Sequence, residues 1–297
     1  MKTRVITVSE DAASRPGLLG EQGLSVFVEA NGHSVLFDTG QSISALHNAR
    51  RLGISMTEVD AVVLSHSHSD HTGGLRDLLR EAGGETKVLA HPDVFADRFV
   101  RFPSQEVGRN IFPGLAGCDL NAGMPYTRRE LESWGAHFSL ASEAEQVAPG
   151  IITTGEVPRR VDFESDASRD IQRLIWNGTS YVDDEILDDL GMILTTAEGL
   201  VVILGCAHRG ILNSLYHAQK LTGEQRIHAV LGGSHLAEAS EERVEYTMDA
   251  LAALDISLLG LCHCTGYSVQ ARLADRFGDR FFHNHAGTSI EFPDLLV

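Results

Sequence analysis

Short runs of apolar residues, separated by residues typical of turns, predict strands in the first third of the chain. Residues 24–30 (LSVFVEA) alternate loosely between apolar and polar positions, and an Asn-Gly turn separates them from residues 33–40 (HSVLFDTG). Residues 61–65 (AVVLS) and 86–90 (TKVLA) are short apolar runs typical of buried strands. This part of the chain therefore predicts four strands in close succession.

Helices follow these strands and later alternate with strands. We expect helices from Ser42 to Leu52, after Thr72, and at residues 211–221, 240–254 and 269–276. Residues 191–205 (GMILTTAEGLVVILG) predict a hairpin that turns at Glu198-Gly199, and further strands are expected at residues 226–233 and 256–261. This order of elements predicts a single α/β domain over residues 1–297.

The segment at about residues 92–150 interrupts the pattern. It is rich in glycine, proline and arginine, and it contains only short periodic pieces. We interpret it as a partly helical insertion that forms a lid.

Charge and composition narrow the classes of partner. A formal net charge of -17 disfavours nonspecific binding to nucleic acid, because phosphates would be repelled. No apolar run approaches the roughly 18 residues that a membrane span needs. The first residues contain no apolar segment of the secretory type, and the 4 cysteines are too sparse for a disulfide framework. We therefore expect a cytoplasmic protein in a reducing compartment, with no membrane or nucleic-acid partner.

A dense cluster of ligand-type residues follows the strand at residues 61–65. His66, His68, Asp70 and His71 fall within six positions. In an extended segment the side chains at i and i+2 point the same way, so His66 and His68 can hold one ion. Asp70 and His71 come as the chain turns into a helix and so face a second point. Glycines 73 and 74 let the backbone pack closely behind this loop, which we expect to serve two metal ions.

The string HSHSDHTGG (residues 66–74) resembles the signature loop of the metallo-β-lactamase superfamily. In that family the first two histidines bind one metal, and the aspartate and last histidine bind the other. The resemblance implies these roles for His66, His68, Asp70 and His71. The preceding LFDTG is similar to the family's early strand and turn, and this implies that Asp38 supports the loop.

Four later motifs resemble one branch of the superfamily, which takes its name from 7,8-dihydropterin-6-methyl-4-(β-D-ribofuranosyl)aminobenzene-5′-phosphate synthase. They are TGEVPR (154–159), GCAHRGILN (205–213), LGGSHL (231–236) and HCTG (263–266). The implied fold is an αββα sandwich, in which two mixed β-sheets pack face to face with helices outside. The metals of such a fold lie in the cleft at the sheet edge.

Two further histidines follow predicted strands next to glycines, and we expect them to complete the ligand set. His208 is a candidate metal ligand, and His263 is the candidate last ligand of the second metal site. Where the family usually has a bridging aspartate, this chain has Gly205-Cys206. Cys206 is either a thiolate ligand or a small buried residue, and a bridging carboxylate is in doubt.

Several other polar residues are candidates for contact with the substrate. His235 also follows a predicted strand, and we interpret it as a substrate-facing acid or a ligand. Asp188 and Asp189 lie in an acidic stretch that favours a solvent-exposed loop over a role in orienting ligands. Three residues within the branch motifs are candidate substrate contacts: Arg209, Asn213 and Thr265.

These observations predict a metal-dependent hydrolase with catalytic residues Asp70 and His235. Two divalent ions roughly 4 Å apart would activate a hydroxide at neutral pH. Zinc is the expected metal, although these ligands also accept iron or manganese. The expected substrate is a small anionic or phosphorylated metabolite. A pterin-type condensation and a non-catalytic metal- and metabolite-binding protein are the alternatives, and a homo-oligomer is compatible with each.

Overall fold

The computed structural model describes residues 2–102, 117–165 and 171–296. The strands are β1 (Thr3–Ser9), β2 (Ser25–Ala30), β3 (His33–Phe37), β4 (Ala61–Val63), β5 (Thr86–Ala90), β6 (Arg98–Arg101), β7 (Asp119–Asn121), β8 (Ala136–Leu140), β9 (Gln146–Ala148), β10 (Ile151–Thr153), β11 (Gln172–Trp176), β12 (Tyr181–Asp183), β13 (Gly191–Thr196), β14 (Gly199–Leu204), β15 (Ile227–Gly232), β16 (Leu258–Leu261) and β17 (Ser289–Phe292). The α-helices are α1 (Ser44–Leu52), α2 (Ser69–Thr72), α3 (Leu75–Ala82), α4 (Arg128–Ser133), α5 (Ile211–Thr222), α6 (Glu241–Ala253) and α7 (Tyr267–Phe277). Within these residues, no helix is both long and apolar enough to cross a membrane.

The strands form two large mixed sheets and one small antiparallel sheet. The first large sheet has the order β17-β1-β2-β3-β4-β5-β8, and the second has the order β16-β15-β14-β13-β10-β9. Strands β3, β4, β5 and β8 are parallel in the first sheet, as are β14, β15 and β16 in the second. The small sheet has the order β12-β11-β6-β7.

The main core lies between the two large sheets. Val26 and Phe37 of the first sheet belong to the same buried cluster as Met192 and Ile203 of the second. Helices α1 and α3 pack on the outer face of the first sheet, while α5, α6 and α7 pack on the outer face of the second. The expected αββα sandwich is therefore confirmed.

Most of the predicted elements are present with small shifts at their ends. The strands expected in the first ninety residues correspond to β2, β3, β4 and β5, and the predicted hairpin corresponds to β13 and β14. The helix expected after Thr72 is preceded by the single turn α2, which begins inside the histidine cluster at Ser69. Strand β1 was not predicted, although it pairs with both β2 and β17.

The segment at about residues 92–150 differs from the predicted excursion. Its described part contains one α-helix, α4, and four strands. Strand β8 pairs in parallel with β5, so it extends the first large sheet and is part of the sandwich. Residues 103–116, which belong to the same predicted lid, lie outside the described residues.

Candidate metal centre

The loop after β4 is anchored from beneath by Asp38, which lies directly after β3. The backbone N–H of Ser65 donates to Asp38 Oδ1 (2.7 Å), and the Ser65 hydroxyl donates to Asp38 Oδ2 (2.6 Å). The same Oδ2 accepts from Nδ1 of His71 at 2.7 Å. Asp38 itself has a positive φ of 60°. The sequence-based interpretation that Asp38 supports the loop is confirmed by these contacts.

His66, His68 and His208 form the first group of candidate ligands. One ring nitrogen from each lies within 4.8 Å of the others. Nδ1 of His66 donates to the Ser65 hydroxyl at 2.8 Å, which leaves its Nε2 facing Nδ1 of His68 at 3.0 Å. Nε2 of His208 is buried and has no hydrogen-bond partner among the described residues. A buried nitrogen without a partner is costly, and a bound cation would satisfy it.

Asp70, His71 and His263 form the second group, again with one ligand atom each within 4.8 Å of the others. Nε2 of His263 lies 3.2 Å from Asp70 Oδ2, and Nε2 of His71 lies 3.7 Å from the same oxygen. Nδ1 of His263 donates to Asp11 Oδ1 at 2.8 Å. A carboxylate at Nδ1 fixes the orientation of the ring and leaves Nε2 for the metal, as in many metal sites.

Three successive parallel strands deliver residues to this point from the second sheet. Each strand end is followed by a non-glycine residue with positive φ: Ala207 after β14 (52°), His235 after β15 (49°) and His263 after β16 (51°). Such backbone is unfavourable for side-chain-bearing residues and tends to occur at functional sites. The carboxyl ends of these strands thus converge on the loop that carries His66 to His71.

Burial and charge set the protonation of the cluster. Burial lowers the pKa of His68 to about 3, and it lowers the pKa values of His66 and His208 well below their usual range. These rings are therefore neutral at pH 7, as metal ligands must be. Burial alone would raise the pKa of Asp70, but His71 and His263 hold that pKa well below its usual value, so Asp70 is a carboxylate.

Two cysteines lie beside the second group. Sγ of Cys206 is 3.2 Å from Nε2 of His71, and it lies within 4.8 Å of a ligand nitrogen of His263 and of Sγ of Cys264. Cys206 thus occupies the place between the two groups where the family usually has an aspartate. Burial raises the pKa of its thiol. Both readings of Cys206, as a ligand and as a buried small residue, are compatible with this position.

A buried ionic network around Arg98 supports the metal loop from the other side. It includes Asp188, which the sequence predicted to lie in a solvent-exposed loop. Nη1 of Arg98 donates to Asp188 Oδ2 (2.6 Å) and to the Ser67 hydroxyl, and its Nε donates to Asp184. Asp188 Oδ2 also accepts from the backbone N–H of Ser67 at 2.9 Å. Asp188 and Asp189 are buried, not solvent-exposed, and burial raises their pKa values to about 6 and about 7.

A cavity of about 540 Å³ opens over both groups of ligands. Its wall includes Asp70, His208 and His263, and the small sheet contributes Arg173. Nη2 of Arg173 donates to Nε2 of His235 at 2.7 Å and to Glu238 at 2.8 Å. His235 therefore lines the cavity next to His208, with a ring-to-ring distance of 4.3 Å.

The three predicted substrate contacts are not in the cavity wall. The Arg209 guanidinium donates to the backbone carbonyls of Val157 and Glu185. The Asn213 side chain accepts from backbone N–H groups at residues 160 and 161. The buried Thr265 hydroxyl bonds that of Ser234 at 2.9 Å. These interactions connect loops and helix ends inside the protein, which corrects the sequence-based assignment.

Four residues near the site were missed by the sequence reasoning: Asp11, Arg173, Glu238 and Cys264. Asp11 had a signal, because an acidic pair follows the apolar run of β1, as ligands and their supports follow strands elsewhere in this chain. Cys264 also had a signal in the sequence, because it directly follows the candidate ligand His263. Arg173 had none, because only the pairing of the small sheet brings it to the cavity.

The donor set fits divalent metal ions. Imidazole nitrogens and a carboxylate are ligands for zinc, iron and manganese. The orphaned Nε2 of His208 and the oriented rings of His66, His71 and His263 all belong to the compact cluster. This geometry and the αββα sandwich together are the architecture of the metallo-β-lactamase fold.

Comparison with known proteins agrees with this architecture. The family model described as Metallo-beta-lactamase superfamily matches residues 18–154. One relative is the 7,8-dihydropterin-6-methyl-4-(beta-D-ribofuranosyl)-aminobenzene-5′-phosphate synthase of Methanocaldococcus jannaschii. It is 32% identical, and the match covers 97% of this chain and 96% of the relative. The chain belongs to the metallo-β-lactamase superfamily.

Solved structures show the same fold. Tm1679, described as a metal-dependent hydrolase of the beta-lactamase superfamily, has a TM-score of 0.80 and 26% identity, and the match covers 98% of this chain and 100% of that one. The Zn(2+)-bound PqqB of Methylobacterium extorquens has a TM-score of 0.53 and 15% identity, with 97% and 100% covered. The second likeness concerns the fold alone.

Proposed function

We propose that the protein is a dinuclear metal-dependent hydrolase that acts on a small anionic or phosphorylated metabolite. The observation that carries the proposal is the presence of two groups of candidate ligands under one cavity. His66, His68 and His208 would hold one ion, and Asp70, His71 and His263 would hold the other. Zinc is the metal we expect.

The bound ions would supply Lewis acidity, which lowers the pKa of water and polarises a carbonyl or phosphoryl oxygen. The chain's own residues orient this chemistry. Asp11 and Asp38 hold the rings of His263 and His71 through Nδ1. Asp70 carries the negative charge at the floor of the cavity.

We assign the positioning of the substrate to Arg173 and a hydrogen bond to the leaving group to His235. A guanidinium is always a donor, so Nε2 of His235 accepts from Arg173, and the neutral ring carries its proton on Nδ1. This N–H has no partner among the described residues, and we expect it to donate a hydrogen bond to the leaving group, since a neutral imidazole keeps its proton. Arg173 has further N–H donors for a phosphate or carboxylate.

A second candidate is a condensation of the kind named by the Methanocaldococcus jannaschii relative. The specific support is 32% identity along nearly the whole of both chains. The same cavity and cationic residue would accept a phosphorylated ribosyl-aminobenzene. Shared fold and family alone do not select between hydrolysis and condensation.

The test is turnover by protein with its metal content measured. The panel includes phosphodiester, phosphomonoester, lactone and β-lactam substrates, and a dihydropterin mixed with a ribosyl-aminobenzene phosphate. We expect hydrolysis of an anionic ester, and loss of both metal and turnover in His68→Ala and His208→Ala. The control is His137→Ala, because His137 is an exposed histidine on β8.

Each other outcome selects an alternative. Formation of the joined pterin product without ester hydrolysis would favour the condensation. Full metal content with no turnover, and tight binding of a small metabolite, would favour a non-catalytic binding protein.

A further inference from the structure

The cavity contains two sulfur atoms that the expected ligand set does not use. Cys206 and Cys264 both line it, and they come from the ends of different strands, β14 and β16. Their Sγ atoms and a ligand nitrogen of His263 all lie within 4.8 Å of one another. Because Nδ1 of His263 is bonded to Asp11, the nitrogen available to this group is Nε2.

The backbone holds Cys264 in this position. Cys264 lies in the single helical turn His263–Thr265, which starts at the positive φ of His263. The backbone N–H of His235 donates to Sγ of Cys264 at 3.2 Å. Backbone N–H groups that point at a cysteine sulfur stabilise its thiolate form. Sγ of Cys264 also lies 3.6 Å from the backbone carbonyl oxygen of Cys206, so groups at the ends of three strands fix this sulfur next to His263.

We propose that Cys206 and Cys264 both ligate the second metal ion, so that this position is a mixed sulfur, nitrogen and oxygen site. His263 links the sulfur atoms to Asp70, whose Oδ2 lies 3.2 Å from His263 Nε2. The inference rests on the proposed function, since it concerns the same metal centre, but it adds a ligand, Cys264.

The donor set determines which metal the position prefers. Thiolate ligands favour zinc, whereas sites of oxygen ligands suit magnesium and manganese. A pair of thiolates beside His263 therefore favours zinc strongly over manganese at the second position. The first group consists of three histidines, and the sulfur near it is that of Cys206, which also lies within 4.8 Å of a ring nitrogen of His66.

The experiment uses Co²⁺ as a spectroscopic probe in the full-length protein, under reducing and anaerobic conditions. We expect a thiolate-to-cobalt charge-transfer band in the near ultraviolet. The band should fall to roughly half in Cys264→Ser and in Cys206→Ser, and it should vanish in the double variant, as two sulfur ligands require. The matched control is Cys262→Ser, because Cys262 is buried two positions from Cys264 and its sulfur contacts Asn284 instead.

Metal selectivity gives a second readout that needs no substrate. Cys264→Ser should weaken zinc binding at least about tenfold, the effect that loss of even an outer partner of a ligand produces. Manganese binding should change much less. A band and a zinc affinity equal to wild type in Cys264→Ser would overturn the proposal.

A third measurement uses the wild-type protein and covers the case in which a variant fails to fold. Zinc should protect Cys264 from alkylation, compared with chelator-treated protein, and mass spectrometry of the labelled peptide reports this. Equal labelling with and without zinc would also overturn the proposal. Absence of turnover with the band present would contradict the hydrolase assignment alone.

Discussion

Hydrogen bonds to Nδ1 orient three histidines of the cluster. His66 is held by the Ser65 hydroxyl, His71 by Asp38 and His263 by Asp11. Each interaction leaves Nε2 for the centre of the cluster. The two carboxylate partners also add negative charge near the bound cations. The side chains that hold the rings thus set the orientation in which the candidate ligands meet.

The fully buried Arg98 is expected to be indispensable for the metal loop. Arg98→Met leaves Asp184 and Asp188 buried without their cation, and breaking such a pair costs about 3–5 kcal/mol. We expect the free energy of unfolding, measured with urea, to fall by that amount. Metal affinity should fall as well, because Asp188 bonds the backbone between His66 and His68.

The matched control lies on the same strand. Arg101 forms an exposed ion pair with Asp119, and Arg101→Met should cost less than about 1 kcal/mol. Similar losses of stability in the two variants would contradict a special role for the buried network.

Arg173 is expected to recognise the charge of the substrate. Arg173→Met should raise KM for an anionic substrate by roughly 10- to 100-fold, the equivalent of one charge-assisted hydrogen bond. Metal content should change little, because Arg173 belongs to none of the candidate ligand groups. kcat should also fall, because Arg173 holds Nε2 of His235 and so keeps the proton of that ring on Nδ1. Steady-state kinetics on a charged substrate and a neutral analogue measures the difference.

Two variants make the result decisive. Arg173→Lys should restore part of the affinity, and Arg101→Met, elsewhere on the small sheet, should have no effect. An equal rise in KM for the charged and the neutral substrate would show that Arg173 acts on the shape of the cavity and not on charge.

The parts of the site that the sequence could predict are the residues that directly follow strands. The loop at residues 66–71 is contiguous, and His208 and His263 follow apolar runs next to glycines, so the sequence itself carries these signals. The partners of Arg98 and Arg173 lie 90 and 62 positions away. Such pairings depend on how the small sheet sits against the sandwich, and no local pattern encodes that. Arg209 lies in one of the motifs of the branch, but no local pattern shows that its guanidinium bonds backbone carbonyls inside the protein.

The metal loop packs closely against the turn after β3 at Gly73. A methyl group at Gly73 would overlap the backbone carbonyl oxygen of Gln41, so the prediction that this glycine permits close approach is confirmed. Gly73→Ala should lower the free energy of unfolding by about 1–3 kcal/mol, as overpacking does. It should also weaken metal binding, since Gln41 borders the cavity.

Gly84→Ala provides the comparison, because a methyl group there meets nothing within 4 Å. Urea unfolding and metal analysis of both variants are the measurements. If Gly73→Ala were as stable as Gly84→Ala, the loop and the turn would have to be able to separate.

The two large sheets support the site without depending on it. Their shared core contains apolar residues from β2, β3, β13 and β14, and the candidate ligands lie beyond the strand ends. The apolar pattern of these strands was therefore enough to predict the sandwich. Strand β1 was harder to recognise, because its hydrophobic residues are buried on both faces and do not alternate cleanly with polar ones.

Removal of the metals should consequently lower stability without unfolding the protein. Ligands that bind only the folded state add RT ln(1 + [L]/Kd), which is about 2.7 kcal/mol at a free concentration 100 times Kd. We expect chelation to lower Tm by several degrees, and added zinc to restore it, while the far-ultraviolet circular dichroism stays that of a folded protein. In a His68→Ala, His208→Ala double variant, which lacks two ligands of the first group, zinc should recover only part of this shift. A Tm that does not change when metal analysis shows that the ions have gone would contradict the coupling between the cluster and the fold.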